Sequence, residues 1–218
     1  KIILSTFVTI VFALLLNEIK NKFMKRSIQT IVYLPNFLSW VILATVVVNI
    51  FSYEGPINAV LEMLGIEPIL FMASNKWFRS VLIVTDVWKG FGYGAIIYLA
   101  ALSGIDPGLY EAAAIDGANR FKRVWHITLP GILPTIMLVT IMNLPNVLNA
   151  GFDQIFNLYN PLVMETADII DTWVYRVGLV ERQYSLGTAV GLLRSIVGII
   201  LMLSANKIAQ KVTDYRIF

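Results

Sequence analysis

Polar side chains set inside long apolar runs are where this chain can do chemistry, and they fall into three groups. Asp86, Lys89 and Tyr93 stand at i, i+3 and i+7, so they share one helix face, with Trp88 beside them. Asn143, Asn146 and Asn149 recur every third residue around Pro145. Arg194 stands alone in the last apolar run. Charges within a membrane are costly, tend to pair and mark functional interiors. Asp86 and Lys89 therefore read in two ways: as an ion pair within one turn that holds helices together, or as a lining that bonds the hydroxyls of a polar solute. Pro145 interrupts its helix and frees a carbonyl one turn back. A broken helix flanked by amides is a recurrent solute-site design, and amides that bond neighbouring helices are the structural alternative. Arg194 can pair with Asp153 or Asp86, or line the same path, and spacing does not choose among these.

Other chemistries lack their residues. His126 is the one histidine and cysteine is absent, which excludes multi-histidine and thiolate metal sites; His126 reads as structural. No Gly-rich loop ending in Gly-Lys-Ser/Thr occurs, so ATP is not bound by a phosphate loop here. The cluster Gly90-Phe91-Gly92-Tyr93-Gly94 has no preceding strand and is not a dinucleotide fingerprint. Gly90 and Gly94 stand instead at the spacing that favours close helix packing. The basic residues are explained by membrane topology, which leaves no footprint for nucleic acid.

The elements that must hold these residues are membrane helices. Of 218 residues 57% are apolar and only 14% charged, against roughly a quarter charged in soluble domains. Mean hydropathy is +0.73. The apolar runs 37–51, 81–102, 132–150 and 186–205 read as spans. A fifth, 2–16, opens the chain without a starting Met, so N-terminal sequence is expected to be missing. Residues 17–36, 52–80, 103–131, 151–185 and the tail from Asn206 read as loops. Five spans put Lys20, Lys22, Lys25, Arg26, Arg120, Lys122, Arg123, Lys207, Lys211 and Arg216 on one side. Lys76, Arg79, Arg176 and Arg182 fall on the other, along with eight of the fourteen acids. Lys and Arg concentrate in cytoplasmic loops, so 103–131 is cytoplasmic and 52–80 and 151–185 are extracytoplasmic. Both outer loops are rich in aromatics, and 168–179 carries apolar residues at helical spacing, which predicts an amphipathic helix on the outer face.

Within the cytoplasmic segment Asp106-Pro107 reads as a helix start, Asp as N-cap and Pro at the first helical position. Tyr110, Ala113, Ala114, Gly117 and Phe121 then share one small, apolar face suited to a groove in a soluble partner. Gly117 stops the helix in the left-handed conformation. A second short helix carries Arg120, Lys122 and Arg123 and is expected to end at Leu129, before Pro130. An amphipathic loop resting on lipid is the plain alternative.

Glu111-Ala112-Ala113, Gly117 and Ile127-Thr128-Leu129-Pro130, with Asp116-Gly117-Ala118 and Pro134, resemble the EAA loop of ABC-importer permeases, the carbohydrate-uptake type in particular. Tyr33-Leu34-Pro35, Asp86-Val87-Trp88-Lys89, residues 97–102, residues 156–161 and residues 168–178 extend the resemblance to the branch that takes up oligosaccharides or polysaccharide fragments. It implies an all-α membrane protein, the type I ABC-importer bundle, with residues 1–218 as one permease domain showing five of six spans. It implies a bacterial cell-membrane location and no catalysis by this chain. Expected partners are a second permease of different sequence, two ATPase subunits carrying ATP and Mg, an extracellular solute-binding protein and an oligosaccharide. Loop 103–131 would hold the coupling helix. Glu111 would be its charged contact, Ala112, Ala113, Gly117 and Ala118 its close-packing surface with Tyr110 and Phe121 beside it, and Asp116 would fix the turn. Asp86, Trp88, Lys89, Tyr93, Asn143, Asn146, Asn149 and Arg194 would line the solute path, the amides meeting sugar hydroxyls and Trp88 and Tyr93 meeting sugar faces. A self-sufficient carrier, or the same fold importing a non-sugar solute, are the alternatives.

Overall fold

The computed structural model describes the backbone of residues 1–213 and side chains through Lys207. Arg216 and the side chain of Lys211, both assigned above to the cytoplasmic tail, lie outside the described residues. Within those residues the regular structure is entirely helical. The axis is α5 (Asn75–Ser103), 29 residues long and so about 44 Å at the α-helical rise. Against it pack α1 (Ile2–Glu18), α2 (Lys22–Phe37) and α8 (Leu129–Asn143). Three helical stretches, Asn75–Ser103, Arg120–Leu148 and Tyr184–Lys207, are long and apolar enough to cross a membrane.

Small residues let these helices approach. Ala13, Ala95, Tyr98, Leu102 and Ile132 form one buried cluster among α1, α5 and α8. The expected Gly90/Gly94 packing pair is corrected: no atom lies within 4 Å of a Cβ built on Gly90. Gly92 makes the closest approach, since a Cβ there would stand 2.5 Å from the Val32 carbonyl oxygen of α2. Gly94 faces Thr9 of α1.

Two expected elements differ. Residues 17–36 are no loop, because α2 occupies most of them. Asn21 caps it by accepting the N–H of Phe23 and of Met24. Lys22, Lys25 and Arg26 crowd its first turns, so average hydropathy misses it. The span expected at 37–51 is bent by 106° between α2 and α3 (Trp40–Ile50). Leu38 and Ser39 are extended there, and the Ser39 hydroxyl accepts the Ile42 N–H at 3.4 Å to start α3.

The helix of α7 (Arg120–Arg123) does not end before Pro130 either. A wide turn, Val124–Thr128, carries it unbroken into α8, with Leu129 N–H donating to the Val124 carbonyl five residues back. Proline lacks an N–H and its ring clashes with the carbonyl one turn back. The extra residue in a π-type turn changes that register, so the chain passes Pro130 as helix.

The two segments expected on the outer side, 52–80 and 151–185, fold onto the helices. They comprise α4 (Pro56–Met63), α9 (Phe152–Leu158), α10 (Met164–Ala167) and α11 (Ile170–Val174), the last extended by a wide turn, Tyr175–Val180. Phe71, Ile155, Leu158, Val163 and Ala167 join Val47, Phe78, Val81 and Leu82 in a second core. Asn58, 1% exposed, ties residues 52–69 together by bonding the Ser52 carbonyl and both polar groups of the Ile69 backbone. The final helix, α12 (Tyr184–Thr213), buries little of its surface.

Candidate functional site

Residues 103–131 hold a short helix, capped at both ends and exposed along one side. Asp106 accepts the Gly108 N–H at 2.9 Å and Pro107 opens α6 (Pro107–Ile115), as its sequence dictates. At the far end Ala118 N–H reaches the Ala113 carbonyl and Gly117 N–H the Ala114 carbonyl, with Gly117 at φ +76°. That is the double-bonded Schellman cap, and only its left-handed backbone demands glycine. Asn119, not singled out in the sequence, then caps α7 by accepting the Lys122 N–H at 2.8 Å.

The face this helix offers is rotated from the expected one. Tyr110 and Ala113 are half-buried and turned toward the protein, and the Tyr110 hydroxyl meets the buried Thr128 hydroxyl at 3.0 Å. Glu111, Ala112, Ala114, Asp116 and Gly117 are exposed. Ile115 is 87% exposed and Phe121 75%, with Phe121 stacked on exposed Trp125. Ala118 is half-buried. Ile115 and Trp125 are additions to the expected surface; nothing distinguishes them until the helix is seen to bury the opposite side. A cleft of about 290 Å³ joins Glu18 and Lys20 to Tyr110, Arg120, Arg123 and Thr128. Both basic segments thus lie at one end, as the charge asymmetry requires. The Arg120–Glu18 contact at 3.8 Å is exposed and contributes little. His126 Nδ1 lies 3.0 Å from the Lys122 carbonyl of its own helix, a structural contact.

The intramembrane polar groups are parted from the partners expected of them. Asp86 does not pair with Lys89; it bridges Lys1 at 3.7 Å. Lys89 reaches instead to the bend between α2 and α3, donating to the carbonyls of Pro35 (3.1 Å), Asn36 (3.0 Å) and Leu38 (2.6 Å). The Pro35 carbonyl also accepts the Leu38 N–H at 3.3 Å, while the Asn36 and Leu38 carbonyls take no backbone donor at the bend, and a flexible ammonium with three donors suits them. Its ammonium also lies 5.8 Å from the Trp40 ring centroid. Tyr93 is half-exposed and edge-on to Phe37, and Trp88 is exposed. Gln154 escaped notice in the sequence. It is fully buried and donates to the Leu82 carbonyl and the Thr85 hydroxyl, both at 2.8 Å, while accepting from Lys1. A glutamine in a stretch read as loop carries no signal of burial until that stretch folds over α5.

Around Pro145 the helix tightens into a 3-10 turn, Leu144–Leu148. Asn143 donates to the Val139 carbonyl of its own helix at 3.0 Å, Asn146 contacts Asn143 at 3.4 Å, and Asn149 accepts the Gly151 N–H. Arg194 pairs with neither Asp153 nor Asp86 but with Asp171 of α11. It lines two clefts. The larger, about 570 Å³, includes Asn149, Phe152, Tyr175 and Tyr184; the smaller, about 340 Å³, includes Asn146 and Ser195. Folding thus gathers Arg194, Asn146 and Asn149, while Asp86, Trp88, Lys89 and Tyr93 are not in the lining of either cleft. Outside the spans, Asp168 is held bidentately by Arg176 at 2.8 and 2.6 Å, and that bonding keeps its carboxyl below the usual carboxylate range.

Comparison with known proteins accords with this geometry. The chain is 44% identical over 210 residues to protein LplB of Bacillus subtilis (strain 168), covering 96% of this chain and 66% of that protein. It is 41% identical over 212 residues to the polygalacturonan/rhamnogalacturonan transport system permease protein YteP of the same organism, covering 97% of this chain and 66% of that protein. The chain thus spans just under two thirds of the length of these relatives. Its fold matches a chain of the bacterial alginate ABC transporter in complex with alginate pentasaccharide-bound periplasmic protein. That match has a TM-score of 0.93 and 38% identity, over 99% of this chain and 75% of that one. A second structure, of a bacterial ABC transporter involved in import of the acidic polysaccharide alginate, gives TM-score 0.89 at 40% identity over 94% and 72%. With residues 5–214 matching the model of that group, the chain belongs to the family of binding-protein-dependent transport system inner membrane components.

Proposed function

We propose that this chain is a membrane subunit of an ATP-driven importer that moves oligosaccharides or polysaccharide fragments inward after delivery by an extracellular binding protein. The observation that carries the reading is α6: a short helix with both ends satisfied that holds Glu111, Ala112, Ile115 and Phe121 out from the positive end of the bundle. Such a surface has no use in a self-sufficient carrier. It fits a cleft in a cytoplasmic ATPase, two copies of which would bring ATP and Mg, with a second permease completing the pore. The named transport functions of the relatives, and the sugar-loaded binding protein in the alginate complex, support the sugar class and the external partner.

The chain's part is mechanical. Closure of the ATPases displaces α6 as a body, because its caps leave no soft end. Tyr110 passes the shift to Thr128, and the unbroken helix from α7 through α8 carries it to Pro145. This is rigid-body switching between two states that the nucleotide biases. Asn143, Asn146, Asn149 and Arg194 then serve as the solute-facing group, with Asp86, Trp88 and Tyr93 on the neighbouring helix and Lys89 spent on the α2–α3 bend.

The test is Glu111→Lys in the assembled importer reconstituted into vesicles. ATP-dependent uptake should fall to background with this chain still inserted and the ATPases lost from, or uncoupled in, the purified complex. Uptake at the unmodified rate would remove the coupling role.

A further inference from the structure

The cleft at the root of α6 belongs to neither the exposed coupling surface nor the solute path. Glu18 and Lys20 at the end of α1 form one wall, Arg120 and Arg123 of α7 another, with Tyr110 and Thr128 between them. Three cations thus line it against one carboxylate. Arg120 meets Glu18 only at 3.8 Å, both side chains being exposed. Lys20 and Arg123 form no ion pair with a described residue. The Arg123 Nε is moreover shut off from solvent without a hydrogen-bond partner among the described residues. An enclosed donor left unpaired is rare and costly in a native fold. The Tyr110 and Thr128 hydroxyls bond one another at 3.0 Å and leave these cations unanswered.

We propose that this cleft is a phosphate site, filled by the headgroup of an anionic membrane lipid. A phosphate offers several oxygens to donors arriving from different helices, and a guanidinium matches it bidentately. A slight turn of the Arg123 side chain toward the cleft gives Nε a phosphate oxygen, while Lys20 adds a point charge from the end of α1. The volume, about 290 Å³, stands at the lower limit of small-ligand pockets and suits a headgroup rather than a polymer. Place selects lipid over a dissolved ion. The cleft lies where α1 ends and the apolar stretch Arg120–Leu148 begins, the level at which lipid phosphates stand. Basic pockets between membrane helices on the cytoplasmic side, where the charge asymmetry puts this end, bind acidic headgroups. Trp125 beside it, 61% exposed, is the aromatic that belongs at that level. Under the importer reading Tyr110 and Thr128 carry the movement of α6 into the spans, so an anion joining Lys20 to Arg123 ties α1 to that contact. The binding stands apart from the importer reading; its effect on uptake rests on it.

The complex purified from its membrane is titrated in detergent with short-chain phosphatidylglycerol and with inorganic phosphate, and native mass spectrometry counts the lipid it retains. Phosphatidylglycerol should bind about tenfold more tightly than inorganic phosphate. Arg123→Gln should weaken that binding about tenfold, one charge-assisted contact being lost. Lys20→Gln, at an exposed position that carries no packing, should weaken it about fivefold. Lys122→Gln removes the same charge from α7 outside the cleft and should leave it unchanged. In vesicles of phosphatidylcholine, a quarter of it replaced by phosphatidylglycerol, ATP-driven uptake should exceed that in phosphatidylcholine alone, and Arg123→Gln should abolish the difference. Equal affinity for lipid and inorganic phosphate overturns the lipid assignment and makes the free anion the occupant. Failure of both to bind, or equal losses in Lys122→Gln and Arg123→Gln, overturns the site. Loss of co-purifying protein from Arg123→Gln with its lipid retained means that the cations dock a protein carboxylate, which overturns it too. Lipid binding that is lost in Arg123→Gln, with uptake absent from every vesicle, upholds the site and counts against the importer reading alone.

Discussion

Replacing Lys89 by Met should loosen the bend in the second span while leaving the rest of the bundle standing. The ammonium satisfies three carbonyls, of Pro35, Asn36 and Leu38, at 2.6–3.1 Å. A hydrogen bond to a charged group contributes about 1.5–3 kcal/mol net. The three share one charge and the bend is only half-buried, so water recovers part of the loss. The net cost is about 3 kcal/mol rather than the sum, the order found when one partner of a buried polar network is removed. For a chain of this size that lowers the melting temperature by roughly 6–12 °C. These 218 residues contain no cysteine, so in a chain of this sequence a single Cys introduced at Asn36 reports on the bend. Its labelling rate by a water-soluble maleimide should rise in the Lys89→Met background, alongside the fall in melting temperature. Unchanged labelling and unchanged melting, with only uptake impaired, would refute the capping argument and return Lys89 to the solute path.

Gly92→Ala should destabilise the protein by about 1–3 kcal/mol as overpacking, because the new methyl meets Val32 backbone at 2.5 Å. Gly90→Ala has open space and should be neutral or stabilising by about 0.4–1 kcal/mol; thermal melts of the two side by side check both. Asp168 has its carboxyl depressed by Arg176, so its contribution is present above the unfolded carboxylate value of about 3.9 and is lost as pH falls through the lower folded value. Asp168→Asn should therefore destabilise at neutral pH and flatten the acid limb of stability below about pH 4, read by melting temperature against pH. A variant whose acid limb matches the unmodified protein would rule that pair out as the source.

Composition alone settled the solvent of this protein, because 57% apolar residues cannot be hidden inside 218 residues and must face lipid. Charge asymmetry predicts its orientation, and Asp106, Pro107 and Gly117 settled both ends of α6, since capping is decided within a few residues. Those signals are local or cumulative, so they need no fold. What only tertiary structure decided is partnership. Asp86 and Lys89 share a helix face yet bond Lys1 and the α2–α3 bend, because in a bundle the stronger claim comes from carbonyls a neighbouring helix leaves unmet, here those of Asn36 and Leu38. Gly92 rather than Gly90 makes the close approach, because crossing geometry and not spacing selects the contact point. The helix passes Pro130 because a single wide turn upstream absorbs its missing N–H, a register change that the residue types do not signal. Which side of α6 faces outward, and that Arg194 meets Asp171 across 23 residues, follow from how helices dock, and no one-dimensional pattern encodes that.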